Sequence, residues 1–238
     1  LENPVLVVGD HVARSGVEAV EAAVDLAEAA GARVHGEIQA CEIDFPTAHD
    51  QWISYVPPDE DLASTLLSAD TILFAGCSTN TTLTRHEEPL VPDHATCLHV
   101  SDAVWEVGKN QPADVAVVGD PGQALAAIAD RGGERLPDDV RAERLEYVAS
   151  VKEMVEAQMA SLAGDDRPDD PRASKPHLFA AMAAAAGDAF VVDDGVTSKY
   201  AMLTRWSFEP EQYISNKGGG LGYGLPAAVG AALAERDR

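Results

Sequence analysis

Along the first half of the chain, short runs that are apolar at every position alternate with stretches whose apolar residues recur every three or four. Pro4-Val5-Leu6-Val7-Val8-Gly9 is the first such run. A strand covered by helices on both faces has no polar side, so an unbroken apolar run predicts a buried strand. Ser15-Gly16-Val17-Glu18 matches the capping box S-x-x-E and predicts a helix start. Val17, Val20, Val24 and Ala27 follow on one helical face, and Gly31 supplies a stop. Ala32-Arg33-Val34-His35-Gly36 is a weak second strand. Asp61 to Ser68 reads as a short helix, Thr71 to Gly76 as a strong buried strand and Thr96 to Val100 as another. Asp114 to Gly119 is the last strand of the set. Asp120-Pro121 then caps a helix through Ala129, with proline at its favoured first position. Strand–helix alternation of this kind implies a parallel sheet with right-handed crossovers.

The pattern changes after residue 131. Pro137-Asp138-Asp139 opens a long helix with Leu145, Val148, Val151, Val155, Met159 and Leu162 on one stripe. Gly164 to Pro171 is polar and proline-bearing and reads as a linker. The helix His177 to Ala186 and the strand Ala189 to Asp193 follow, then the loop Asp194-Gly195-Val196-Thr197-Ser198. Residues 199–217 read as irregular, and the helix Pro226 to Ala234 closes the pattern. The fold class is α/β. A Rossmann-like doubly wound parallel sheet is expected at 1–135, a helix and linker at 136–175, and a partial second α/β segment at 176–238. One strand cannot make a sheet, so that last segment reads as cut short.

Charge narrows the functions. The 238 residues carry 40 Asp+Glu against 17 Lys+Arg, a formal net charge of −23. Such a surface repels phosphate backbones and anionic headgroups, which argues against nucleic-acid and membrane-surface partners. No apolar run approaches the ~20 residues of a membrane span, and the first residues lack a basic, signal-like start. Cys41, Cys77 and Cys97 are widely spaced, which points to a reducing, cytoplasmic setting rather than a disulfide or zinc framework. Abundant acids with only five lysines suit a halophilic cytoplasm, where counterions screen self-repulsion; an ordinary acidic soluble protein is the alternative.

Candidate chemistry concentrates in Gly218-Gly219-Gly220-Leu221-Gly222-Tyr223-Gly224, where five of seven residues lack a side chain. Glycine lets main chain approach a ligand closely and adopt positive φ. The spacing is neither G-x-G-x-x-G nor a phosphate-binding G-K-[ST] loop, and a flexible glycine loop stays open as the plain reading. Thr197-Ser198 would serve equally as a helix N-cap. Cys77 to Thr82 follows a strand's carboxyl end, where open α/β sheets bind ligands, but also reads as a polar surface loop. His86-Glu87-Glu88 and His94…His99 are weak metal candidates, because His94 and His99 fall on opposite faces.

Gly-Gly-Gly-Leu-Gly-Tyr-Gly-Leu-Pro-Ala-Ala-Val-Gly-Ala-Ala-Leu-Ala, residues 218–234, closely resembles the cofactor-binding C-terminal domain of thiamine diphosphate-dependent 2-oxo acid decarboxylases and carboligases. Val191 to Ser198 resembles the strand and loop that begin that domain. Val7-Val8-Gly9-Asp10…Ala13-Arg14-Ser15-Gly16, Phe45-Pro46-Thr47 and Val118-Gly119-Asp120-Pro121 are similar to landmarks of the family's central domain. The Gly-Gly-Gly-Leu-Gly turn is more like benzoylformate decarboxylase than the related acetolactate synthase.

The resemblance implies the following roles. The coenzyme is held bent and serves as an electron sink for the 2-oxo group. Leu221 would be the apolar wedge under the bend, and Gly219 would offer its carbonyl to the 4′-amino group, with Gly220 and Gly222 keeping the turn bare. Val196, Thr197 and Ser198 would lie at the diphosphate end. Mg²⁺ would bridge the diphosphate, held by a Gly-Asp-Gly…Asn motif that occurs nowhere in this sequence. The activating Glu would come from a pyrimidine-binding domain. The expectation is therefore a central domain plus the start of a cofactor domain, with no catalytic residue of its own and inactive alone. The parent enzyme would decarboxylate or carboligate a small-molecule 2-oxo acid as a homo-oligomer. FAD binds the central domain in part of the family and is not favoured here. An acetolactate synthase-like carboligase and a non-catalytic nucleotide- or FAD-binding module at the Gly9/Gly76 cleft are the alternatives.

Overall fold

The computed structural model describes residues 3–37, 39–57, 59–78, 88–133, 135–163 and 172–234, with backbone only at 161–163. The chain runs β1 (Pro4–Val8), α1 (Asp10–Arg14), α2 (Val17–Ala30), β2 (Arg33–Gly36), β3 (Trp52–Tyr55), α3 (Glu60–Leu66), β4 (Thr71–Ala75), β5 (Thr96–Ser101), β6 (Val115–Val118), α4 (Pro121–Gly133) and α5 (Asp138–Ala163). It continues through α6 (Lys175–Ala186), β7 (Val191–Asp193), α7 (Lys199–Leu203), β8 (Tyr213–Ser215) and α8 (Gly224–Ala234).

β1 to β6 form one sheet in the order β3-β2-β1-β4-β5-β6, and every pairing is parallel. This is the doubly wound, Rossmann-like architecture. The apolar run in β1 has its physical reason here. Leu6 and Val8 enter the core on one face, with α2, Leu125 and Ala129. Val5 and Val7 enter the other, with Ala63, Ile72, Phe74 and Cys97. The order of strands reverses between β1 and β4, which places a ligand-type crevice beyond their carboxyl ends.

Several expectations change in the structure. The capping box does not form: Gly16, at φ 105°, is the N-cap of α2 and no side chain caps it. The Ser15 hydroxyl instead donates to the His11 carbonyl at 2.9 Å, closing the short α1 that no periodicity announces. Val17 is exposed, and the buried face of α2 is carried by Ala19, Val20, Ala22, Ala23, Leu26 and Ala27. Gly31 does stop the helix, in the left-handed conformation at φ 59°. β3 is an unexpected strand, buried at all four positions. β6 is a strand as expected, but it lies at the sheet edge with all four residues exposed. Residues 199–217 are not irregular throughout, because α7 and β8 lie within them. β8 pairs parallel with β7, so the second segment has two strands rather than one.

On the α5 stripe, Val148 and Val155 are buried against Ile53 and Leu66, while Leu145 is exposed. The linker Gly164 to Pro171, the Leu162 side chain, the loop residues 79–82 and His86-Glu87 lie outside the described residues. His99 packs on Phe74, and its Nε2–H donates to the Pro112 carbonyl at 2.9 Å. The three cysteines are free and buried. Among the described residues no helix is long and apolar enough to cross a membrane.

Candidate functional site

Hydrogen bonds and a shared apolar cluster join the second segment to the central domain. Phe208 exchanges two hydrogen bonds with Thr47: its N–H donates to the threonine hydroxyl at 2.6 Å, and its carbonyl accepts from the Thr47 N–H at 3.1 Å. The Ser215 N–H donates to the Cys41 carbonyl at 2.8 Å. Met202, Leu203, Trp206, Phe208 and Tyr213 enter the same apolar cluster as α2 and β1.

Between the two parts lies a pocket of about 170 Å³. Tyr55 of the central sheet and Tyr200 and Leu203 of α7 form apolar wall, and Val196 and Gly219 stand at its rim. The hydroxyls of Tyr55 and Tyr200 are both buried and make no hydrogen bond.

The expected site residues fall into two neighbouring strips. Val196, Thr197 and Ser198 form the loop after β7. The Thr197 carbonyl accepts from the Lys175 ammonium at 2.7 Å, and the Ser198 hydroxyl makes no cap bond to α7. Gly219, Gly220, Leu221 and Gly222 form the turn before α8. Gly219 and Gly222 have φ of 65° and 92°, the region that disfavours side chains, and Leu221 is 83% exposed. Asp194 ties the strips together: its Oδ2 accepts from the Gly222 N–H at 2.9 Å, and its Cβ lies so close to Gly224 that a side chain there would meet it at 2.8 Å. Asn216 spans the turn, accepting from the Gly218 N–H at 2.8 Å and donating to the Gly220 carbonyl at 3.0 Å.

Sequence reasoning passed over the lysines. Three of the five, Lys175, Lys199 and Lys217, gather around these strips. Lys199 donates to the Ser215 hydroxyl at 2.6 Å, and burial lowers its pKa. Lys217 reaches back into the central sheet, to Asp10 at 2.7 Å, to Ser78 Oγ at 2.6 Å and to Glu37. Burial alone would lower its pKa, but the charges of Glu37 and Asp10 outweigh that and the net shift is upward. The scarcity of lysine in so acidic a chain was the available signal.

The Gly9/Gly76 cleft is narrow and acidic. A methyl on Gly9 would sit 2.5 Å from the Cys77 Cα, so the two strand ends are already in contact. Asp10, Glu37 and Asp44 are all buried beside it. Both Asp44 oxygens lack a partner, and burial followed by the Asp10, Glu37 and Glu42 charges raises its pKa well above the usual carboxylate range.

The comparisons with known proteins bear on the fold and the family. Residues 1–128 match the family described as thiamine pyrophosphate enzyme, central domain. The chain is similar to the acetolactate synthase large subunit of Parasynechococcus marenigrum, at 30% identity over 145 residues, 60% of this chain and 22% of that protein. It is also similar to sulfoacetaldehyde acetyltransferase of Rhodobacter capsulatus, at 28% identity over 185 residues, 70% of this chain and 31% of that one. Among solved structures, the thiamine diphosphate-dependent 4-hydroxybenzoylformate decarboxylase of Rhodococcus jostii RHA1 superposes with a TM-score of 0.72 and 27% identity, covering 99% of this chain and 42% of that chain. The chain therefore spans less than half the length of each of these relatives. With more than half of its length matching the family's central domain in a six-stranded parallel sheet, the chain belongs to the thiamine pyrophosphate enzyme family.

Proposed function

We propose that this chain is part of a thiamine diphosphate- and Mg²⁺-dependent enzyme that decarboxylates or carboligates a 2-oxo acid, and that it contributes the glycine turn on which the coenzyme lies. The observation that carries this reading is the turn itself. Bare main chain at Gly219 lines a mostly apolar pocket, and Lys175 and Lys199 stand beside it in a protein of net charge −23. A diphosphate needs cationic and N–H donors, and a thiazolium ring needs an inert apolar support. The resemblance assigns Val196, Thr197 and Ser198 to the diphosphate end, and Lys175 donates to the Thr197 carbonyl. Leu221 projects outward from the turn, and the resemblance makes it the wedge under the bent coenzyme.

When bound, the coenzyme supplies the electron sink for cleavage of the bond to the carboxylate. This chain's part is to hold and bend it. Relatives more than twice as long support the reading that other segments supply the Mg²⁺ ligands and the activating carboxylate, so the chain alone is inactive. A homo-oligomer in a salt-rich cytoplasm is part of the same proposal.

The test is calorimetric titration of thiamine diphosphate into the full-length protein with and without MgCl₂, followed by product analysis from benzoylformate and pyruvate. Mg²⁺-dependent binding and release of CO₂ are expected. An aldehyde product would identify a decarboxylase and a 2-hydroxy-2-acyl acid a carboligase. Absence of coenzyme binding in the full-length protein would overturn the assignment.

A further inference from the structure

We infer that the crevice at the carboxyl ends of β1, β2 and β4 is a receptor for this chain's own Lys217, and that Lys217 is the positioning residue of the glycine turn. The inference rests on the coenzyme reading for what the turn carries, but not for how the turn is held.

Main-chain donors of the central domain hold the acceptors in place. Asp10 Oδ1 accepts from the Cys41 N–H at 2.6 Å and the Glu42 N–H at 3.2 Å, leaving Oδ2 for the ammonium at 2.7 Å. Glu37 Oε2 accepts from the Ser78 N–H at 2.8 Å, and Oε1 faces the ammonium and the Asp10 N–H. Both carboxylates are fully buried, at 0% exposure, and Ser78 Oγ completes the cage at 2.6 Å. An ammonium has three donors, and here three oxygens from three strand ends receive them. The lysine lies 207 residues from Asp10 and 180 from Glu37, so this cage ties the coenzyme turn to the central sheet. Asn216 then passes the constraint along the turn through its bonds to Gly218 and Gly220.

The same arrangement gives the crevice its ligand class. Open α/β sheets take nucleotide phosphates at this position. Two buried carboxylates repel a phosphate, and an internal ammonium already fills the space. The central domain of this chain is thus a clamp for the turn and not a dinucleotide site.

The test is amide hydrogen exchange of the 238-residue chain, read over residues 218–224 and over β1 and β4. In Lys217→Ala, exchange in the turn should quicken about tenfold or more, the equivalent of one charge-assisted hydrogen bond. That variant also strands two buried carboxylates. The triple variant Lys217→Met, Asp10→Asn, Glu37→Gln therefore serves as a charge-balanced second case, with the same quickening expected and β1 and β4 protected as in wild type. Methylammonium added to Lys217→Ala should restore the melting temperature but leave the turn exchanging fast, because the free amine fills the cage without tethering the chain. Unchanged turn exchange in the triple variant, or recovery of turn protection by methylammonium, would overturn the role. So would FAD or ADP binding to the wild-type chain with loss of turn protection. Failure of the full-length protein to bind thiamine diphosphate would sink the coenzyme reading and leave these results standing.

Discussion

At Asp44 the chain buries a carboxyl group with no hydrogen-bond partner, in a corner that already holds Asp10 and Glu37. Its pKa is raised in the fold, so the folded state binds a proton that the unfolded state releases above about pH 4. Its contribution is present at low pH and lost as pH rises. Asp44→Asn, which cannot ionise, should therefore raise the melting temperature more near pH 8 than near pH 5. A gain independent of pH would contradict the protonated state. His35 has the opposite sign. Burial first, and the Arg33 charge second, lower its pKa to about 3. The unfolded chain takes up that proton from about pH 6.5 downward, so the contribution is full above that value and lost as pH falls toward about 3. His35→Asn should flatten acid unfolding measured by circular dichroism across this window. Neither residue stood out in the sequence. A His in a weak strand and an Asp in a loop give no local sign of burial until the topology places them inside, and no local pattern singles out Lys217.

Elements were legible where burial was symmetrical. β1 and β4 show unbroken or nearly unbroken apolar runs because helices or loops cover both faces. β3 was hidden because Trp52-Ile53-Ser54-Tyr55 places a polar residue in a short strand, although Ser54 is buried. α7 and β8 were hidden because each is too brief for a period to show. The capping box failed because Ser15 was already committed to the preceding turn. Two predictions belong at this scale. Gly9 adopts ordinary extended backbone, so its requirement is space and not conformation. Gly9→Ala would force the ends of β1 and β4 apart and should cost about 1–3 kcal/mol or more in chemical denaturation. On α5, Val148→Ala should cost roughly 1–3 kcal/mol, while Leu145→Ala, on the same stripe but exposed, should stay within about 0.5 kcal/mol. Equal effects would mean that the helix packs along its whole stripe.

At the scale of the molecule, net charge −23 makes self-repulsion a standing cost that counterions reduce. The melting temperature should rise across a KCl series as the Debye length shortens, and a flat or falling curve would count against a halophilic setting. The fold class was readable because alternation of strand and helix is a property of the whole pattern and survives individual errors. The site was readable only in part. The glycine turn and the loop after β7 carry local motifs, whereas the lysine cage and the pocket wall come from residues far apart in sequence.

The three tryptophans draw out one consequence of the way the two segments meet. Trp52 and Trp206, one from the sheet and one from beyond α7, sit in the same cluster, while Trp105 is 71% exposed beside the sheet edge. Iodide should quench Trp105 selectively, leaving an emission that comes from both sides of the seam at once. That residual signal should then shift to the red in one sigmoidal step on heating, because both indoles belong to one continuous apolar cluster.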